Sequence, residues 1–212
     1  HFSFSGYHDP TRQHWGALRV WNDDTIQPKT GFPPHPHRDM EIITYVRTGA
    51  ITHQDSLGNK GRTEAGDVQV MSAGAGVTHS EFNLEDEATT LYQIWILPKA
   101  HGGKPYWGAA KFPKGDRSGS LVTLASGYEA DQAQGALPIR QDARLLAATL
   151  QDGQSVTYTL EPGRHVYLAL AKGKAKVNGV ELGPRDGAAI RDEAQVQIQA
   201  AGDAEIVLVD AP

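Results

Sequence analysis

Backbone breakers recur so often along this chain that few long stretches are free of them: 23 Gly and 12 Pro are spread through its 212 residues. Proline removes a backbone donor and fixes φ, and glycine weakens helix interiors, so long helices are disfavoured. Between the breakers lie short runs rich in Val, Ile and Thr, which suit a pleated surface. The expected fold class is all-β. Strands are predicted at 17–22, 41–47, 50–55, 67–72, 79–83 and 89–97, then at 143–150, 155–160, 165–171, 174–177, 188–190, 195–200 and 205–209. Explicit turns separate them, among them Leu57-Gly58-Asn59-Lys60-Gly61, Glu161-Pro162-Gly163, Asn178-Gly179 and Pro184-Arg185-Asp186-Gly187. A spacing of about 8–12 residues between strands is that of a sandwich or barrel.

The two halves differ in chemistry. All four Trp and eight of the nine His lie before residue 110, whereas the remainder is rich in Ala, Gly, Val and Gln. Between them, HGGKPYWGAAKFPKGDRSGS at 101–120 reads as a linker without regular structure, which sets a boundary near residue 115 and domains of 1–115 and 116–212. Glu64-Ala65-Gly66-Asp67-Val68 and Gly183-Pro184-Arg185-Asp186-Gly187-Ala188 both place a Gly/Asp turn ahead of a strand. That weak internal repeat fits two copies of one β-barrel.

A net charge of −5 without any block of like charge provides no footprint for nucleic acid or an anionic membrane. Cysteine is absent, so any metal must be held by His, Asp or Glu. No apolar run approaches the roughly 20 residues of a membrane helix, and no secretory signal is visible. The chain opens at His1 rather than Met, which leaves an upstream segment open. The expectation is a soluble, cytoplasmic protein.

Within His35-Pro36-His37-Arg38-Asp39-Met40-Glu41, an extended backbone would put His35, His37, Asp39 and Glu41 on one face. Pro33, Pro34 and Pro36 bias the backbone toward that conformation. About forty residues on, His79 and Glu81 are again two apart. Two adjacent strands that each give such a pair would close a site of three imidazoles and one carboxylate, suited to Fe(II), Ni, Cu, Mn or Zn. Parity does not decide whether Glu41 or Glu81 supplies the carboxylate. His8, His14, His53, His101 and His165 lack such a setting and are read as solvated or hydrogen-bonded, with His53 facing a hairpin.

GFPPHPHRDMEIITYV at 31–46, DSLGNKG at 55–61, GDVQVMSAGAGVTHSEFN at 66–83 and LYQIWI at 91–96 resemble the pirin family of the cupin superfamily. FSFSGYHDP at 2–10 and LRVWNDD at 18–24 match as well, and in the second half AIRDEA at 189–194 carries a weaker likeness. The resemblance implies a bicupin of two stacked, jelly-roll-type β-barrels, the N-terminal one metal-bound and the C-terminal one metal-free. It places the ligands at His35, His37, His79 and Glu81, with Fe(II) as the first choice of ion and Ni, Cu, Mn, Co or Zn as others. It leaves Glu41 as a supporting residue.

The family likeness further implies a quercetin 2,3-dioxygenase-like oxidoreductase, which opens the ring of a flavonol with O2 and releases carbon monoxide. Glu81 would then be the catalytic base for the substrate's hydroxyl, and Phe32, Met40, Met71, Phe82 and Trp95 are candidates to line the pocket. The alternative from the same resemblance is a non-enzymatic, metal- and redox-sensing partner of a transcription factor or metabolic enzyme.

Overall fold

The computed structural model describes residues 1–212 and is built almost wholly of strands. It divides into two compact units, His1–Phe112 with Leu137–Gln141, and Pro113–Ala136 with Asp142–Pro212. No helix is long and apolar enough to cross a membrane.

The first unit carries β1 (Leu18–Ile26), β2 (Gly31–His37), β3 (Glu41–Thr48), β4 (Ala50–Asp55), β5 (Lys60–Glu64), β6 (Val68–Ser72), β7 (Val77–Phe82), β8 (Thr89–Ile96) and β9 (Tyr106–Ala110). A five-stranded sheet runs β1-β8-β3-β6-β9 and a four-stranded sheet runs β2-β7-β4-β5. All pairings in both are antiparallel. Central strand β3 is buried at every position from Glu41 to Val46, as its nearly unbroken apolar run requires. Strand β7 instead alternates, burying Val77, His79 and Glu81 while Thr78 is exposed. Between the sheets pack Ile26, Val46, Ile51 and Leu91 at one end and Ile42, Met71, Ala73 and Val77 at the other, while Ile43, Tyr45, Tyr92 and Ile94 are buried on the opposite face of the five-stranded sheet.

Two expectations are corrected here. The stretch 101–120 is not without regular structure: β9 lies within it and pairs with β6, from Val68↔Ala110 to Ser72↔Tyr106, and a 3-10 turn follows at Lys114–Arg117. The aromatic pair Tyr106 and Trp107 outweighs the neighbouring glycines because the edge of β6 offers a free ladder and Trp107 finds an apolar cluster to pack on. Nor does the strand that begins at Gly31 continue through Glu41. It ends at His37, and Asp39 turns the chain with φ 49°, in the left-handed region that Asp tolerates better than most side chains. The Asp39 carboxylate accepts the Gly102 N–H at 2.6 Å and sits 3.2 Å from His101 Nδ1, so it is committed to this corner and shares no face with the histidines.

Short β11 (Leu137–Pro138) falls in the first unit. The second unit carries β10 (Val122–Ser126), β12 (Arg144–Leu150), β13 (Ser155–Thr159), β14 (His165–Lys172), β15 (Ala175–Val177), β16 (Val180–Leu182), β17 (Gly187–Arg191), β18 (Gln195–Ala200) and β19 (Ala204–Ala211). Its sheet order β12-β19-β14-β17 repeats β1-β8-β3-β6, and β13-β18-β15-β16 repeats β2-β7-β4-β5. The two Gly/Asp turns singled out in the sequence precede β6 and β17, which hold the same place in their sheets. What differs is the filling. The interior of the second unit is an apolar cluster that includes Leu146, Val166, Leu168, Val196, Ile198 and Leu208.

Candidate metal centre

The site grows from the pairing of β2 with β7. His35 lies opposite His79 and His37 opposite Val77, while further along Phe32 lies opposite Glu81. The register therefore slips by one residue between Phe32 and His35, a bulge at Pro33 and Pro34, which have no N–H to give to a ladder. The bulge re-aims the chain so that His35, His37 and His79 each offer a ring nitrogen within 4.8 Å of the others.

Their protonation follows from their partners. His35 Nδ1 lies 2.7 Å from the Pro33 carbonyl oxygen, which can only accept, so Nδ1 carries the proton and Nε2 keeps its lone pair. That Nε2 is 3.0 Å from His79 Nε2. Two nitrogens bound to one ion at about 2.1 Å and at right angles would be about 3.0 Å apart, so the spacing suits two cis ligands. Burial and the neighbouring imidazoles hold His37 down to about 4 and His79 to about 3, so both rings are neutral and able to ligate near neutrality.

Glu81 is the least expected environment. Its carboxylate is fully buried, with Oε1 accepting from Gln69 Nε2 at 2.6 Å and from Thr44 Oγ1 at 3.1 Å, and Oε2 accepting from Gln93 Nε2 at 2.6 Å. All three donors are neutral. Burial raises Glu81 to about 7, against the opposing pull of those hydrogen bonds. A buried carboxyl beside converging imidazole lone pairs, with no cationic side chain bonded to it, is a donor set that fits a divalent ion. Glu81 falls within 4.8 Å of His79 and His53, a second group that meets the first through His79.

Glu41 stands apart. It is buried too, but its Oε2 accepts from Ser72 Oγ at 2.5 Å and from the Arg140 N–H at 3.0 Å, and it belongs to neither group of possible ligands. Burial raises its pKa while these bonds oppose the rise. Among the predicted lining residues, Met71 packs with Ile42, Ala73 and Val77, and Met40 and Trp95 pack against that cluster. The Trp95 ring stands edge-on to His37 with centroids 5.0 Å apart, and Phe4 from the N-terminal motif stands edge-on to Trp95 at 5.2 Å. Phe32 is exposed and Phe82 half-buried, outside that cluster. A cleft of about 410 Å³ beside His37 is lined by Pro36, Arg38, Ser56, Gly76, Val77 and Thr78.

Sequence reasoning missed His53, Asp55, Gln69, Gln93 and Trp107. Of the two settings expected for His53, solvated or hydrogen-bonded, it has the second: it is fully buried, its Nε2 lies 3.0 Å from Asp55 Oδ2, and its ring stacks on Trp107 at 4.9 Å with 10° between planes. His53 and Asp55 have the same two-residue spacing as His79 and Glu81, and that was the available signal. Gln69 and Gln93 each sit at a buried position between buried apolar or aromatic neighbours, in VQVMS and TTLYQIWI.

Residues 1–96 match the pirin family, and residues 124–211 match the quercetinase C-terminal cupin domain family. A pirin-like protein of Caulobacter vibrioides is 65% identical over 211 residues, covering 100% of this chain and 90% of that protein. The chain belongs to the pirin family. A quercetin 2,3-dioxygenase of Escherichia coli K12 is 43% identical to this pirin over 213 residues, covering 100% of the chain and 89% of the relative. The crystal structure of the bacterial pirin YhhW from Escherichia coli in complex with nickel(II) matches with a TM-score of 0.92 at 40% identity, over 100% of this chain and 89% of that one. The two β units are those of a bicupin, as the resemblance implied.

Proposed function

We propose that this pirin holds one divalent transition metal through His35, His37, His79 and Glu81 and is a flavonol dioxygenase of the quercetin 2,3-dioxygenase type, opening the ring with O2 and releasing carbon monoxide. The observation that carries the reading is the 3.0 Å approach of two imidazole nitrogens beside a fully buried carboxyl whose bonded donors are all neutral. The name of the Escherichia coli relative, a quercetin 2,3-dioxygenase, supports the substrate class. Fe(II) remains the first choice of ion, with Ni, Cu, Mn, Co and Zn as alternatives, and the nickel complex of YhhW supports a site that accepts more than iron.

A metal held by His35, His37, His79 and Glu81 would supply a Lewis acid for the substrate's hydroxyl oxygen. The chain's own residues do the rest. Glu81 is the carboxylate beside the three imidazoles and so the group placed to take the proton of the substrate's hydroxyl. Gln69, Gln93 and Thr44 fix its two oxygens in place. Trp95, Met40 and Met71 give the site an apolar flank that excludes water, and the cleft past His37 gives a planar substrate its approach.

The test is reconstitution of metal-stripped protein with Fe(II), Ni, Cu, Mn, Co or Zn in turn, followed by oxygen uptake and carbon monoxide release with quercetin. At least one form should consume oxygen well above the His35→Ala and Glu81→Ala controls. If none does, the dioxygenase reading fails and a metal-dependent binding role takes its place.

A further inference from the structure

The pairing of β4 with β7 sets His53 opposite Glu81 and Asp55 opposite His79, so a second imidazole–carboxylate pair lies behind the candidate ligands. Asp55 is firmly seated. Its Oδ1 accepts the N–H groups of Leu57 at 2.9 Å and Asn59 at 3.0 Å, and its Oδ2 accepts from Asn59 Nδ2 at 2.9 Å as well as lying 3.0 Å from His53 Nε2. A carboxylate only accepts, so the proton of His53 sits on Nε2 and its Nδ1 carries a lone pair. That Nδ1 lies 3.4 Å from His79 Nδ1. Stacked on Trp107, the His53 ring cannot swing away.

His79 has two ways to carry its proton. With the proton on Nε2, its Nδ1 lone pair would face that of His53 across 3.4 Å, and no ligating nitrogen would be left toward His35. With the proton on Nδ1, it donates to His53 and presents the Nε2 lone pair to the pocket, 3.0 Å from that of His35 Nε2, a close approach of two acceptors that a shared cation would relieve. We propose that His53, locked by Asp55 and Trp107, is a positioning residue that fixes His79 in the Nδ1–H tautomer and so presets its Nε2 as a metal ligand. This rests on the metal-site reading above. A backbone carbonyl, that of Pro33, performs the same service for His35. Partners that orient a ligating imidazole in this way are worth about 10–100-fold in metal affinity.

The test uses the whole chain with Zn(II) as the diamagnetic probe. Two-bond proton–nitrogen spectra of 15N-histidine-labelled wild type should show His79 protonated on Nδ1 and His53 on Nε2. Chelator competition should show Zn(II) binding weakened by about 10–100-fold in His53→Phe, which keeps an aromatic ring against Trp107 but accepts no hydrogen bond, and largely recovered in His53→Gln, whose amide oxygen can accept. A wild type that binds Zn(II) with His79 protonated on Nε2, or a folded His53→Phe with unchanged affinity, overturns this inference while leaving the metal site standing. A wild type that binds no Zn(II) overturns the metal reading itself. Should His53→Phe fail to fold, the wild-type tautomers decide alone.

Discussion

Glu41 and Glu81 are both buried carboxyls, and their difference lies in what bonds to them. Glu41 is satisfied by Ser72 and the Arg140 N–H at a strand start, away from the histidines. Glu81 lies against His79, and its donors are neutral amides and a hydroxyl. Replacing His35, His37 or His79 with Ala should therefore weaken metal binding by more than about 100-fold, beyond what orienting partners contribute. Glu81→Gln should retain more metal than these but lose turnover, and Glu41→Gln should change little; elemental analysis with activity assays separates the three classes. A more damaging Glu41→Gln would reverse the ligand assignment.

The pKa shifts yield a second residue-scale expectation for the metal-free protein. His37 and His79 have folded values of about 4 and about 3, below the ordinary 6.5, so they oppose stability as pH falls below 6.5. Glu81 has the opposite sign: raised from 4.5 to about 7, it adds stability that is complete below 4.5 and lost as pH rises through 7. Between about pH 6 and about pH 8 the gain from the histidines and the loss from Glu81 oppose each other, so the melting temperature of the metal-free wild type should change little, whereas Glu81→Gln, which keeps only the histidine contribution, should rise over this range. Parallel profiles would show that the carboxyl does not titrate there.

At the scale of elements, Trp107 on β9 ties the edge of one sheet to His53 on the other. Gly61 on β5 makes room for it, because a Cβ there would run into the indole ring. Gly61→Ala should cost about 1–3 kcal/mol by overpacking, read from denaturant unfolding, and should alter Trp fluorescence as the ring shifts. The strands were legible where apolar residues run or alternate without competition, as at β4 and β18, whose expected limits coincide with those found. They were not legible at β5 or β16, where KGRTE and VEL are largely exposed and gain their strand form from a neighbouring ladder rather than from their own pattern. Likewise, HPH and HSE were readable as ligand pairs, whereas the corner at Asp39 that removes Glu41 from the site depends on partners 63 residues away, at Gly102.

At the scale of the whole molecule, one strand order is used twice with two interiors. Where β7 turns His79 and Glu81 inward, its counterpart β18 turns Val196, Ile198 and Ala200 into an apolar core. Metal should accordingly raise hydrogen-exchange protection in β2, β4 and β7 while leaving β13, β15 and β18 unchanged; equal protection in both units would point to a second binding place. The most direct measurement is the anomalous difference map of a metal-loaded crystal recorded at the absorption edge of the bound ion. The expected result is one peak, within about 2.0–2.3 Å of nitrogens from His35, His37 and His79 and an oxygen of Glu81. A peak on Glu41, a peak within the second unit, or a loaded protein with no ordered peak at these histidines would contradict it.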